Sequence, residues 1–203
     1  MRRAEKAERT RQAIVDAATA LFIDPGYSAT TIQAIASRAD VAVETVYKRF
    51  GSKSRLLSAI LEPAIVGNSE GLDLLELPEV EEIRRCSDQR RQVRLLGHFS
   101  RSILDRTLTA HQILASAAAT DPAARSVQAE DQERRHRTQS AFIGFLAANG
   151  PLRAGVSEAT AVDTYGVLAN PSTFELLTEQ RGWSPDQYEQ WLGDVLARLL
   201  LED

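Results

Sequence analysis

The sequence predicts an all-α protein, and three observations support this prediction. Apolar residues recur at helical spacing along most of the 203 residues. No segment shows sustained alternation of apolar and polar residues, and no Asn-Gly or Asp-Gly turn joins two β-branched runs. Gly, Pro and capping residues fall between the apolar stripes, where helices would begin and end.

The first two helices are expected before residue 40. The first carries the apolar stripe Ile14, Ala18, Leu21 and Phe22, and Asp24-Pro25-Gly26 ends it. Thr30 and Gln33 have the spacing of a capping box, so we expect Thr30 to begin a second, short helix.

A four-residue turn, Ala39-Asp40-Val41-Ala42, separates the second helix from a third. The third helix turns Val46 and Phe50 inward, and Gly51 follows it as a residue that can take left-handed geometry. Ser52 caps a fourth helix, with a kink expected at Pro63.

Residues 67–80 are expected to be an irregular connection, because they contain two Gly and a Pro. The domains are therefore placed at 1–61 and 62–203. Ser172-x-x-Glu175 and Ser184-x-x-Gln187 are expected to be capping boxes in the second domain. Its helices are predicted at residues 88–107, 110–119, 122–148, 157–169, 172–181 and 185–201.

Charge is divided unequally between these two parts. Residues 1–61 hold ten Lys and Arg against six Asp and Glu, whereas the rest holds fourteen against twenty-two. This division favours an anionic partner for the first part. No secretory signal or apolar span is apparent, so a cytoplasmic protein is expected. Cys86 is the only cysteine, and His98, His111 and His136 are dispersed, so we expect neither a metal nor a cofactor.

Two short helices joined by a tight turn form the pattern of a DNA-binding helix-turn-helix. The outward positions of the third helix mix cationic, polar and methyl-bearing side chains, which suits the base edges of a major groove. These positions are Val43, Glu44, Thr45, Lys48 and Arg49. Lys53 lies in the first turn of the fourth helix, where the macrodipole disfavours a cation and a DNA phosphate would compensate.

The segment GYSATTIQAIASRADVAVETVYKRFGSKSRLLSAIL resembles the DNA-binding segment of TetR/AcrR regulators. The resemblance covers residues 10–61 and implies that Thr30, Thr31, Tyr47 and Lys53 contact phosphates. It also implies that Val43, Glu44, Thr45 and Lys48 face base edges. Two positions depart from the family pattern: Asp40 stands where Gly is usual, and Ala42 stands where a Ser cap is usual.

Beyond residue 61 the resemblance is one of layout, and it implies a helical bundle that dimerises and binds an effector. The family implies a repressor released from a palindromic operator, although no residue distinguishes a repressor from an activator. The final helix carries an apolar stripe that suits a homodimer with the helix near 157–169. The stripe consists of Tyr188, Trp191, Leu192, Val195, Leu196 and Leu199.

A small apolar or amphipathic effector is expected to bind between helices of the second domain. Its expected lining is aromatic and aliphatic, with His98, His111 and the Tyr165 hydroxyl as polar contacts. The lining residues are Phe99, Ile103, Ile113, Phe142, Phe145 and Tyr165.

Two features of the sequence are also typical of other classes of protein. Gly67-Asn68-Ser69-Glu70-Gly71 spells the G-x-S-x-G of a hydrolase with Ser69 as nucleophile, but no strand precedes it and no His follows His136, so we do not expect an enzyme. A helical protein-interaction module without DNA binding is the other alternative, and salt-sensitive retention on DNA would distinguish the two. The role of the basic arm from Arg2 to Arg11 stays open.

Overall fold

The computed structural model describes residues 2–66 and 73–202, with helices throughout and no strand among them. A 3-10 turn lies at Leu74–Glu76, and π-helical turns lie at Phe22–Gly26 and Leu176–Gln180. The ten helices of the described residues are α1 (Arg2–Leu21), α2 (Ile32–Arg38), α3 (Val43–Phe50), α4 (Lys53–Val66), α5 (Pro78–Arg85), α6 (Gln89–Thr120), α7 (Pro122–Ala148), α8 (Glu158–Leu168), α9 (Pro171–Glu175) and α10 (Pro185–Leu200).

The chain divides into two compact units, residues 1–64 with 109–131 and residues 65–108 with 132–203. The first boundary lies close to the expected one, but residues 109–131 cluster with the N-terminal unit. Two helices were predicted at 88–107 and 110–119, whereas α6 is continuous from Gln89 to Thr120. Leu108-Thr109-Ala110 contains no Gly or Pro, so nothing in this segment stops a helix.

In the first unit, most local expectations are confirmed. Asp24 leaves helical geometry (φ −143°, ψ 117°) and ends the first helix where predicted. Asp40 has φ 52° in the turn between α2 and α3, a left-handed conformation that Asp tolerates better than most residues. Gly51 has φ 74° after α3, and the Ser52 hydroxyl accepts from Arg55 N at the start of α4.

The second unit surrounds one apolar core contributed by α5 to α10. Helix α5 was not predicted; Pro78 stands in its first turn, and its Val80 and Ile83 are buried. The cap of α9 is Asn170, followed by Pro171, and not the expected Ser172. The predicted capping box of Ser184 and Gln187 is confirmed at the start of α10.

Candidate nucleic-acid interface

Helices α2 and α3 pack against each other through one apolar face each and leave a polar face outward. Ile35 and Val46 are 0% and 1% exposed. On the outward side of α3, Glu44, Lys48 and Arg49 are exposed, Tyr47 is 51% exposed, and Val43 and Thr45 are half-buried. This surface combines two cations, a carboxylate and a phenol on two turns of helix.

The N-terminus of α3 lacks a side-chain cap, as the departure at Ala42 predicted. Ala42 has extended geometry (φ −70°, ψ 145°), and its carbonyl accepts from Thr45 N at 2.9 Å. The backbone therefore has cap geometry although its side chain cannot accept a hydrogen bond.

The two threonines before α2 take different positions. Thr31 is exposed and caps α2 by accepting from Ala34 N at 3.1 Å. Thr30, which was expected to be the cap, is 3% exposed and donates to the carbonyls of Leu21 and Gly26, both at 2.8 Å. The expectation that the Thr30 side chain contacts phosphate is therefore wrong in this structure, because its hydroxyl is buried among backbone carbonyls.

Lys53, the first residue of α4, is fixed by hydrogen bonds to backbone carbonyls of its own chain. Its Nζ donates to the carbonyls of Tyr27 at 2.9 Å and Thr30 at 3.0 Å, and lies 4.1 Å from the centre of the Tyr27 ring. Partial burial lowers the pKa of Lys53, and the nearby Asp121 carboxylate opposes that shift. An ammonium has three N–H donors, so these two carbonyls leave one for a phosphate.

Tyr27 also reaches a residue far away in sequence. Its hydroxyl donates to Asp121 Oδ2 at 2.7 Å, and both residues belong to the first unit. Burial, and then this hydrogen bond to Asp121, raises the pKa of Tyr27 well above its ordinary value. The same hydrogen bond is the main reason that the pKa of Asp121 is lowered.

The residues predicted to bind an effector are divided between the two units. Ile113 belongs to the first unit, so it does not join the others. Phe142 lies among three other rings, with centroid distances of 5.4 Å to Phe99, 6.1 Å to Phe145 and 6.4 Å to Tyr165. The aromatic members therefore form a packed cluster in the core of the second unit, with Ile103 partly buried against it.

One polar pair lies inside this aromatic cluster. The hydroxyls of Ser100 and Tyr165 are 2.8 Å apart, and Ser100 also donates to Leu96 O at 2.7 Å. Because the Ser100 proton is directed at that carbonyl, Tyr165 is the donor to Ser100. The expected polar contacts His98 and His111 lie elsewhere: His98 pairs with Glu189 at 3.1 Å, and His111 pairs with Asp131 at 3.3 Å in the first unit.

The apolar stripe of α10 divides into an inner and an outer row. Tyr188, Leu192 and Leu196 are all 0% exposed within their own chain, so they are not available to a second copy. The expectation that these three residues form a dimer interface is therefore wrong, because a wide stripe on one helix can serve two surfaces. The outer row keeps surface open to solvent and comprises Trp191, Val195 and Leu199.

Sequence reasoning missed Tyr27 and Asp121 as residues near the candidate interface. Tyr27 lies within the segment that resembles the DNA-binding part of TetR/AcrR regulators, but an aromatic side chain there is typical of an ordinary core residue. Asp121 precedes Pro122, which signals only a helix cap, and its partner is 94 positions away in sequence. A single sequence contains no signal for such a long-range pair.

Other kinds of site have no support in the residues the structure describes. Within residues 2–66 and 73–202, none of the helices combines the length and apolar character needed to cross a membrane. The same residues hold no group of three or more His, Cys, Asp or Glu that could bind a metal ion. Ser69, the candidate hydrolase nucleophile, lies outside the described residues.

The fold and the outward face of α3 define a helix-turn-helix protein. Residues 14–60 match the family described as bacterial regulatory proteins, tetR family. The transcriptional repressor KstR of Rhodococcus jostii is 48% identical over 58 residues, which are 29% of this chain and 26% of that protein. The regulator SrpR of Pseudomonas putida is 43% identical over 58 residues, 29% and 27% of the two chains. The matched segment thus spans about a quarter of these relatives' length.

Solved structures resemble the chain over nearly its whole length. NalD, the secondary repressor of the MexAB-OprM multidrug efflux pump in Pseudomonas aeruginosa, has a TM-score of 0.71 at 23% identity and covers 98% of this chain and 99% of its own. A SmeT complex with triclosan has a TM-score of 0.72 at 21% identity, covering 96% and 92%. FadR of Bacillus subtilis, in complex with stearoyl-CoA, has a TM-score of 0.67 at 14% identity, covering 91% and 96%. At these identities the likeness establishes the fold.

Proposed function

We propose that this protein is a cytoplasmic, homodimeric transcriptional repressor that binds an inverted-repeat DNA operator and releases it when a small apolar or amphipathic molecule binds. The outward face of α3 is the observation that carries this proposal. Glu44, Tyr47, Lys48 and Arg49 stand exposed around a buried Val46, inside the segment that matches the TetR family. The repressor role is supported by KstR and NalD, which are named as repressors.

In this proposal the exposed residues divide into phosphate contacts and base contacts. Tyr47, Thr31 and the third proton of Lys53 meet phosphates, whereas Val43, Glu44, Thr45 and Lys48 read base edges. Glu44 would accept from a cytosine amino group. Lys53 also supports the Tyr27–Thr30 turn, so replacing it would disturb structure as well as charge.

Selection of bound sites from random duplex DNA tests the proposal most directly. We expect the wild-type chain to select a two-fold symmetric site, and Glu44→Gln to select different bases at one position in each half. Tyr47→Phe should weaken binding to all duplexes alike, because it removes only a phosphate contact.

Glu79→Gln is the matched control for charge, since it makes the same change as Glu44→Gln at a residue that is exposed in the second unit. It should leave both the affinity and the selected sequence unchanged. A wild-type chain that enriches no sequence, and whose retention on DNA does not fall with salt, would refute DNA binding.

The proposed dimer uses the outer row of α10 together with α8. Leu199 is 44% exposed and Val167, on α8, is 67% exposed, which leaves apolar surface uncovered on both helices. A surface groove of about 330 Å³, lined in part by Trp183, Trp191 and Val195, lies along the same side of α10. A second copy would cover this surface and place two α3 helices in successive major grooves, roughly 34–36 Å apart.

Sedimentation of Leu199→Glu tests the dimer. We expect the wild type to sediment as a dimer at micromolar concentration and Leu199→Glu to shift toward monomer, because the substitution places a charge in the interface. Ile23→Glu is the matched control, since Ile23 is 59% exposed in the first unit. Equal dissociation in both variants, or a monomeric wild type, would contradict the proposed interface.

The proposed effector site is the aromatic cluster around Phe142, with Ile103 at its edge and the Ser100–Tyr165 pair inside it. The complexes of SmeT with triclosan and of FadR with stearoyl-CoA support an apolar ligand. The rings pack closely in the absence of a ligand, so a bound molecule would have to separate them. To move the protein from about 99% DNA-binding state to about 99% non-binding state, the ligand must prefer the non-binding state by about 5.5 kcal/mol.

Tyr165→Phe is the sharpest variant for this site. It removes the hydroxyl that orients a ligand, while Ser100 keeps its bond to Leu96 O. We expect weaker stabilisation by apolar compounds in a thermal-shift screen, weaker release from DNA, and unchanged affinity for DNA without ligand. A compound that releases wild type and Tyr165→Phe at the same concentration would place the site elsewhere.

A further inference from the structure

A polar cluster inside the first unit joins residues that the proposed DNA contacts do not explain. Tyr27 is 2% exposed, and its hydroxyl donates to Asp121 Oδ2 at 2.7 Å. Lys53 lies over the Tyr27 ring at 4.1 Å and donates to the carbonyls of Tyr27 and Thr30. Tyr27 is therefore held from both sides, by a carboxylate at its hydroxyl and a cation at its ring.

Asp121 binds two parts of the protein at once. Its Oδ1 accepts from Ala123 N at 2.8 Å and caps α7, while its Oδ2 accepts from Tyr27. A neighbouring contact joins the same two segments, since the hydroxyls of Ser28 and Thr120 are 2.8 Å apart. The corner between α6 and α7 is thus hydrogen-bonded to the residues that lead into α2.

The series of hydrogen-bonded residues that begins at Asp121 reaches the proposed DNA-binding face. Tyr27 and Thr30 carry the two carbonyls that fix the Lys53 ammonium, and Thr31, the cap of α2, is the next residue. The backbone of Val41 donates to Ala36 O at 3.0 Å, so the position of α2 also sets the turn into α3. Disturbing Tyr27 would therefore displace contacts on both sides of the helix-turn-helix.

We infer that Asp121 is a positioning residue for DNA binding, which acts through Tyr27 to set the places of Lys53 and the N-terminus of α2. This inference rests on the proposed function. Side chains fixed before DNA arrives lose less conformational entropy on binding, so affinity should depend on residues that never touch DNA.

Two variants remove the Tyr27–Asp121 bond, and Tyr27→Phe does so while leaving in place the Asp121 carboxylate that acts on Lys53. Tyr27→Phe keeps the ring beneath Lys53, and Asp121→Ser keeps a capping oxygen for α7 but is too short to reach Tyr27. Asp88→Ser is the matched control, because Asp88 caps Arg91 N at the start of α6 and lies in the second unit. The measurement is the dissociation constant for the selected operator, at a temperature where circular dichroism shows each variant fully folded.

We expect each variant to weaken operator binding about tenfold, the effect of losing one hydrogen bond to a charged acceptor. The double variant should bind no more weakly than either single one, since both remove the same bond. Asp88→Ser should bind like the wild type.

If the bond is merely structural, its loss will lower the midpoint of urea unfolding and leave the dissociation constant within twofold of the wild type. That result would overturn the inference. The inference would also be overturned if the losses of affinity in the two single variants multiplied in the double variant. If Asp121→Ser does not fold, Tyr27→Phe alone decides, since it removes a single oxygen. A wild-type chain that binds no DNA refutes the proposed function and this inference together, whereas binding that both variants retain refutes the inference alone.

Discussion

Phe142→Ala offers a direct test of how the second unit is packed. Phe142 is 2% exposed and lies within 6.4 Å, centroid to centroid, of three other rings. Replacing a buried Phe by Ala removes transfer free energy and leaves a cavity, at a cost of about 3–5 kcal/mol. Whole domains are stable by only about 5–15 kcal/mol, so this one substitution should consume a large part of the free energy of unfolding.

Urea unfolding followed by circular dichroism measures this cost from the shift in midpoint at constant slope. Phe145→Ala is the comparison, because Phe145 is only partly buried at the edge of the same cluster and should cost about 1–2 kcal/mol. A cost for Phe142→Ala below about 1 kcal/mol, or equal to that of Phe145→Ala, would refute the reasoning. The rings would then surround open space and not a packed core.

Three further predictions concern caps, close packing and pH. Ala42→Ser should stabilise the chain by about 1 kcal/mol in thermal unfolding, because it adds a side-chain acceptor where the backbone has cap geometry; no gain would contradict this. Gly97→Val should lower the free energy of unfolding by about 1–3 kcal/mol, because a Cβ there would lie 3.2 Å from a carbonyl oxygen of α10. Gly144→Ala is the control and should not destabilise the chain, because nothing lies within 4 Å of a Cβ at that position. Burial raises the pKa of Tyr165 and Tyr188 above the ordinary value of 10.0, so these phenols ionise in the unfolded chain before they ionise in the folded chain. The free energy of unfolding should therefore fall above pH 10, by about 1.4 kcal/mol per pH unit for each phenol. Unfolding midpoints that stay level from pH 9 to 11.5 would contradict this last prediction.

Local signals in the sequence were sufficient for the helix-turn-helix. The stop at Asp24, the left-handed turn at Asp40 and the cap at Ser52 are each encoded within a few residues, and the structure has all three. Thr30 and Thr31 show the limit of such signals. Both can cap a helix, and the tertiary contacts of Thr30 with Leu21 O decide which of them does.

Features that depend on long-range packing could not be predicted. The stripe of α10 was visible, but the sequence could not say that Tyr188, Leu192 and Leu196 serve their own chain while Leu199 stays outside. The pair of Tyr27 and Asp121 left no trace, because its members are ordinary residues far apart in sequence.

The boundary between the two units within α6 limits how this protein can be divided. A fragment ending at Ala64 would carry α1 to α3 and nearly all of α4, but would lack residues 109–131 of the same unit. Those residues contribute Leu114, Ala117 and Ala124, each at most 2% exposed. An exchange of DNA-binding domains between relatives would therefore have to transfer two separate stretches of chain, and a transplant cut only after α4 would leave the new N-terminal unit with part of its core missing.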